Sequence, residues 1–395
     1  MLNAISQAPP RKEEPERRFT DCWHAELVRP LSEMPGAFDL PVDAVSLMET
    51  EPLPENLNPA RILYLDTETT GLSGGAGTLA FEVGLGRLME DGFRITQLMI
   101  RDYPEEQFLL RRVLEAAGDC DALCTFNGRS FDLPLLRDRC LMNRLSPAPL
   151  EKPHIDLLHI ARRVFRLRLK QCNLGRLEEA VLGFGRGDDL PGAQVPERFF
   201  SYLKTGEFAL LEDVLRHNQQ DIASLCILLN HMARMYQAPQ LLDHDQDLYA
   251  MGHGLERHNH PEEARRCWEL VHPGSLHAQS QLRLAQSLRR SGQAGEAAAI
   301  WQRMAEGREG GIVPWVELAK YYEHTLRDIP EALACARRAL ILLAEPGLPA
   351  DASVQSEKNA LQYRCARLRR KLKGRGTTSR PPEGPENEAG GTAWD

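Results

Sequence analysis

Apolar and polar residues recur along this chain with two different periods, and the change from one to the other divides it. Residues 61–66, RILYLD, are a short apolar run ending in an acid, with the length and the Ile, Leu and Tyr content of a buried strand. Residues 78–88 and 93–103 are apolar runs on either side of Glu90-Asp91-Gly92, and Asp-Gly between such runs predicts a hairpin. Residues 105–118 carry a helical stripe at Phe108, Leu109, Val113 and Ala116, closed by Gly118. Residues 121–126 read as a second buried strand. Residues 130–144 read as a helix with Pro134 in its first turn, where a missing N–H costs nothing. Short helices are predicted over 156–163 and 174–182, and a long helical stretch over 207–236. Strands followed by alternating strand and helix predict an α/β sheet with helices on its faces.

From about residue 247 the pattern is helical only, and it repeats. Ala264 and Trp268 lie four apart on one helical face, as do Ala297 and Trp301, and then Ala332 and Ala336. Gly252, Ala285 and Ala319 precede these pairs at the close-packing position, and Trp315, Leu318, Ala319 and Tyr322 add a further signature. The region resembles the tetratricopeptide repeat, whose period is about 34 residues. An irregular helical bundle is the alternative.

Composition narrows the class without naming the chemistry. The 395 residues are 42% hydrophobic and 26% charged, enough to bury a core in two or three domains. A net charge of −8 excludes a uniformly basic nucleic-acid coat but not a local basic groove. No apolar run approaches the ~18 residues of a membrane helix, so no membrane association is expected. The opening residues lack an apolar signal core. Nine scattered cysteines without a CxxC pair suggest reduced thiols and a cytoplasmic location.

The chemistry lies in three segments. In Asp66-Thr67-Glu68 two carboxylates at i and i+2 share one face of a strand end. Like charges that close repel, and a hard divalent cation such as Mg²⁺ or Mn²⁺ removes the conflict. Residues 126–136, FNGRSFDLPLL, place Asp132 in the first turn of an apolar helix, where helix capping alone could explain it. His217 and Asp221 stand at i and i+4 on one helical face, directly before an apolar run in which an unpaired charge would be costly.

These segments together resemble the DEDD, or DnaQ-like, 3′–5′ exonuclease superfamily on the ribonuclease-H-like fold. Asp66 and Glu68 match its first motif, Asp132 its second and Asp221 its third. The third motif departs from the usual forms, since His217 occupies the spacing of the Tyr variety. With DLPG near 189–192 and the C-terminal repeats, the combination is similar to the YprB-like family of ribonuclease-H-like proteins. The resemblance implies a metal-dependent phosphodiester hydrolase acting on DNA or RNA. Two Mg²⁺ or Mn²⁺ ions would be held by Asp66, Glu68, Asp132 and Asp221, with His217 orienting or deprotonating the attacking water. The alternative is a catalytically inactive ribonuclease-H-like scaffold that binds nucleic acid or protein.

The expected organisation follows: residues 1–18 disordered, 19–59 an extended lead-in, 60–240 a ribonuclease-H-like α/β domain with a mixed central sheet. Residues 247–375 are then an all-α repeat domain that docks a protein partner, closed by a capping helix, and 376–395 are a disordered tail. Arg162, Arg163, Arg166, Arg168 and Lys170, with Arg176 close behind, form a basic stretch free of acids, a candidate phosphate track or an ordinary solvated face. Thr67, Asn127 and Phe131 flank the acidic motifs and are candidate contacts to nucleic acid, with core packing the alternative for Phe131. Glu82, in mid-strand, supports the site or points outward. His253, His258 and His260 lack a cysteine partner and make a weak candidate for a transition-metal site. Gly74, Gly75 and Gly77 form a loop beside the first motif without a nucleotide-binding signature.

Overall fold

A computed structural model describes residues 20–34, 39–48, 52–71, 77–187, 190–345 and 352–375. The expectations for residues 1–18 and 376–395, and for Gly74, Gly75 and Asp189, fall on residues outside these. The chain divides into two compact units, the first running to Leu270 and the second starting at Val271.

The first unit is built on a six-stranded mixed sheet. Its strands are β1 (Trp23–Arg29), β2 (Ile62–Thr69), β3 (Ala80–Met89), β4 (Gly92–Met99), β5 (Ala122–Thr125) and β6 (His154–Asp156), in the spatial order β1-β4-β3-β2-β5-β6. β2 pairs antiparallel with β3 on one side and parallel with β5 on the other, so it is central. Ile62 to Leu65 are all buried, because both faces of this strand are covered. The β3–β4 hairpin turns at Gly92, with φ +153°, as the Asp-Gly signal predicted.

Helices cover both faces. In chain order they are α1 (Val42–Met48), α2 (Glu106–Gly118), α3 (Asp132–Met142), α4 (Leu157–Leu169), α5 (Leu174–Leu177), α6 (Val195–Thr205) and α7 (Glu212–Gln237). α2 buries Leu109, Leu110, Val113 and Ala117 in one cluster with Leu123 of β5 and Leu133 and Leu136 of α3. Phe81 of β3 stacks on Phe199 of α6 with centroids 4.2 Å apart. Each such buried side chain contributes on the order of 1.5–3 kcal/mol. α7 lies against β2, β3 and β4. It approaches β3 so closely that a Cβ on Gly84 would sit 2.7 Å from Ile222 and 2.1 Å from Asn218 Oδ1, and one on Gly86 2.6 Å from Ile222. Two glycines in one strand therefore set how deeply α7 seats.

Parts of the lead-in over 19–59 form regular elements. Its residues 23–29 are the edge strand β1, paired with β4 in the register Leu27↔Ile95, and α1 packs on α7. The first unit also reaches past residue 240. α8 (Asp245–Arg257) packs on α4, and α9 (Pro261–Glu269) packs back on α8, with Gly252 leaving room for Trp268. Arg168 of α4 pairs with buried Asp247 at 2.7 Å.

The second unit is helical: α10 (His277–Arg290), α11 (Ala294–Glu306), α12 (Val313–Tyr321), α13 (Ile329–Leu342) and α14 (Ala352–Arg375). Ala285, Ala297, Ala319, Ala332 and Ala336 are fully buried, which permits close approach of neighbouring helices. Glu323, in the π-turn after α12, is buried and held by Arg364 at 3.0 Å, Arg367 at 2.5 Å and Lys371 at 2.7 Å, all from α14. All nine cysteines are buried and unbridged. No helix among the described residues is long and apolar enough to cross a membrane.

Candidate active site

The C-terminal half of β2 supplies the first two acids. Alternation along the strand leaves Asp66 and Glu68 half-buried on one face and turns Thr67 and Thr69 inward. The pairing with β3 shifts by one residue between Glu68 and Thr69, so regular pairing ends just beyond the acids.

α3 brings in Asp132 as its first residue, 3% exposed. Thr67 Oγ1 donates to Asp132 Oδ1 at 2.5 Å, so Thr67 works here as a clamp on the second acid. The loop before α3 is tied down on its far side. Asn127 adopts φ +69°, and the backbone N–H groups of Asn127 and Arg129 donate to the two carboxylate oxygens of buried Asp156 at 2.9 and 3.1 Å. Asp156 in turn caps α4 by accepting from Leu158 N. Phe131 is half-buried at the cap of α3.

α7 supplies the third pair. His217 Nε2 lies 3.5 Å from Asp221 Oδ2 and 3.9 Å from Glu68 Oε1. The ligand atoms of Glu68, His217 and Asp221 all lie within 4.8 Å of one another, a group that could hold a metal ion. Asp66 stands beside them, receiving a 3.1 Å hydrogen bond from Asn218 Nδ2.

Burial pushes the Asp66 carboxyl well above the usual carboxylate range, and the nearby charges of Asp221, Asp132 and Glu68 push it further. Burial raises Asp132 to about 6 against the opposing hydrogen bond from Thr67. Asp221 is also raised by burial, but Arg186 and His217 pull it back. Glu82 of β3 is fully buried next to this group, and it accepts from Gln97 Nε2 at 2.6 Å. It points inward, raised by burial as well. Acids held this close and dry are stabilised by a divalent cation, and the hard oxygen donors suit Mg²⁺ or Mn²⁺. The residues present fit such an ion.

Several residues at the site carry no motif. Arg186 Nη2 lies 2.5 Å from Asp221 Oδ1, and the same guanidinium donates to Glu178 Oε1 at 2.8 Å. Glu178 is fully buried and also accepts from Ser224 of α7. Gly183, left-handed at φ +77°, ends the π-turn after α5 and sends the chain back so that Arg186 reaches its partners. Asn218 is fully buried, and the space it occupies exists because residue 84 has no side chain.

The basic stretch on α4 does not act as one face. Arg163 donates to His258 Nδ1 at 2.8 Å and to the Met48 carbonyl, and Arg168 is taken up by Asp247. Arg162, Arg166 and Lys170 are exposed. Arg176 pairs with Glu179 of the turn that follows α5. His258 is thereby an arginine's partner, held next to a positive charge that disfavours a metal ion.

Residues 63–233 match the family described as the RNase H superfamily. The chain is 32% identical over 369 residues to YprB of Bacillus subtilis (strain 168), a match covering 89% of this chain and 86% of that protein. Among solved structures it is similar to the family B DNA polymerase from the hyperthermophilic archaeon Pyrobaculum calidifontis. The likeness is distant: 14% identity and a TM-score of 0.36, over 61% of this chain and 30% of that one.

Proposed function

Since the chain belongs to the ribonuclease H superfamily, with YprB as a relative along most of its length, we propose that it is a metal-dependent nuclease of the DEDD type that removes nucleotides from 3′ ends. One observation supports this reading: the ligand atoms of Glu68, His217 and Asp221 lie within 4.8 Å of one another, and the charges of Asp221, Asp132 and Glu68 act on Asp66, so acids from three separate segments share one region. Binding alone needs no such concentration of carboxylates.

Asp66, Glu68, Asp132 and Asp221 would hold two divalent ions. When bound, such ions supply positive charge that offsets the charge developing on phosphoryl oxygens and ease ionisation of water. Thr67 fixes the rotamer of Asp132 and Asn218 that of Asp66, so the acids are oriented before anything binds. His217 borders Glu68 and Asp221 and is the group placed to orient the attacking water and accept its proton. The helical repeats resemble tetratricopeptide units, and a partner protein would dock on them.

A second reading is a scaffold that keeps the fold without the chemistry. The Arg186–Asp221 ion pair speaks for it, because a guanidinium already partly neutralises the cluster. Single-stranded DNA and RNA oligonucleotides labelled at either end, incubated with Mn²⁺, Mg²⁺ or EDTA, decide between the two. Stepwise shortening from the 3′ end with metal only is the expected result. Intact oligonucleotides under every condition, from a folded protein, select the scaffold.

A further inference from the structure

Beside the acids, on the α6 and β1 side of α7, lies a cleft of about 810 Å³, within the size range of small-ligand sites. His217 belongs to its wall and also borders Glu68 and Asp221, so one side chain is shared between the cleft and the acidic centre. Its charge is the reverse of theirs. Among the described residues Arg29, Arg186, Arg198 and Arg216 line it against one acid, Asp213.

Two of these cations are accounted for locally. Arg216 is paired with Asp213, and Arg186 with Glu178 and Asp221. The other two make no ion pair among the described residues. Arg29 donates to the neutral amide oxygen of Gln220 at 3.5 Å, with Glu33 the one carboxylate whose charge acts on it, and Arg198 is paired with no carboxylate there. Both are half-buried. Burial depresses the Arg29 guanidinium below its ordinary value, by more than the charge of Glu33 raises it. Phe184, half-buried on the same wall, offers an aromatic face. In a chain of net charge −8, two guanidinium groups without an ion pair among the described residues and an aromatic ring near an acidic centre are not a generic surface.

We propose that this cleft binds the phosphate group of a nucleotide adjoining the bond to be cleaved, with Arg29 and Arg198 as its ligands and Phe184 stacking on the base. The ligand class is a nucleotide phosphate ester. Guanidinium groups suit it through paired N–H donors, and base stacking on a ring is tolerant of sequence. The site extends the nuclease reading by naming where the strand lies, and it rests on that reading.

The full chain, with Ca²⁺ in place of Mn²⁺ to hold the acids neutralised, is titrated into a fluorescent single-stranded 12-mer, and anisotropy is followed between about 50 and 200 mM salt. Arg29→Gln and Arg198→Gln should each weaken binding about tenfold and lower the slope of log affinity against log salt by about 0.7, the value of one lost phosphate contact on a single strand. Arg111→Ala with Arg257→Ala, two exposed arginines elsewhere, should leave both quantities within about twofold. Competition identifies the source of the phosphate. Displacement of the 12-mer by a nucleoside 5′-monophosphate assigns the cleft to the terminal nucleotide. Displacement only by an unlabelled oligonucleotide assigns it to an internal phosphodiester. No binding by the parent protein, or unchanged affinity and salt slope in both arginine variants, overturns the proposal. If the arginine variants behave as expected while no metal supports cleavage, the cleft stands and the nuclease reading falls. If cleavage is seen and the arginine variants bind normally, the reverse holds.

Discussion

Asp66 and Asp221 belong to one cluster, yet their charges are tolerated differently. Asp221 has Arg186 and His217 beside it, whereas among the described residues Asp66 has only the Asn218 amide. In the metal-free protein Asp66→Asn should therefore raise the thermal midpoint at neutral pH more than Asp221→Asn does, as calorimetry with EDTA would read. Added Mn²⁺ should raise the midpoint of the parent protein and much less that of Asp66→Asn. The pH dependence has a definite sign. A carboxyl whose folded pKa is raised costs nothing below its unfolded pKa and an increasing amount as pH climbs toward the folded value. For Asp132 the window runs from 3.8 to about 6. Metal-free protein should lose on the order of 3 kcal/mol across it relative to Asp132→Asn. His217→Ala should cost about 10²–10⁴ in cleavage rate with little change in oligonucleotide affinity. His217→Tyr should recover part of it, because i, i+4 is the spacing at which the Tyr variety places its phenol. A full rate in His217→Ala would make the imidazole a bystander. The acids and His217 were legible because each sits inside a short local pattern. Arg186 and Asn218 were not, since nothing near them in sequence says which carboxylate they meet.

At the scale of elements, the runs with strong periodicity were read within a few residues: β2, the β3–β4 hairpin, α2, α3 and α7. β1 alternates Trp23, Ala25 and Leu27 with His24, Glu26 and Val28, but the prolines that follow it give the whole segment the composition of an irregular lead-in. β6 is three residues long, too short to leave a period. The basic stretch on α4 is divided, because an amphipathic helix shares its cations with whatever packs on it: α8 takes up Arg163 and Arg168, and Arg162, Arg166 and Lys170 stay exposed. The close seat of α7 on β3 is testable. Gly84→Ala forces a Cβ onto Asn218 Oδ1 and Ile222, and should cost about 1–3 kcal/mol in a urea melt. It should also depress cleavage beyond what lost stability explains, through the Asn218–Asp66 bond. Gly86→Ala meets Ile222 and Phe93 but not Asn218, so it should destabilise with little separate effect on rate.

At the scale of the whole molecule, Pro239 and the acids near 236–247 interrupt the helical pattern and suggest a boundary there, whereas the first compact unit runs on to Leu270. Shortened chains distinguish the two. A chain ending at Leu270 should keep metal-dependent cleavage of short oligonucleotides and lose association with any repeat partner. One ending at 240 removes α8 and leaves Arg163 and Arg168 without His258 and Asp247. It should lose its cooperative melt by circular dichroism. Equal stability of the two fragments would show that the first helix pair is dispensable to the α/β unit.

The nine buried cysteines make the protein a clock for its own opening. Burial pushes the thiols of Cys226 and Cys267 up to about 12 and that of Cys335 to about 11, so at neutral pH scarcely any is present as reactive thiolate. A thiol reagent can modify them only during moments of exposure, and the rate at each position times the breathing of its own surroundings. Cys226 in α7 reports on the sheet unit, and Cys335 and Cys365 in α13 and α14 on the helical one. Mass spectrometry of pulse-labelled protein should find Mn²⁺ slowing Cys226 and leaving the other two unchanged. Equal protection of all three would mean that the two units open together.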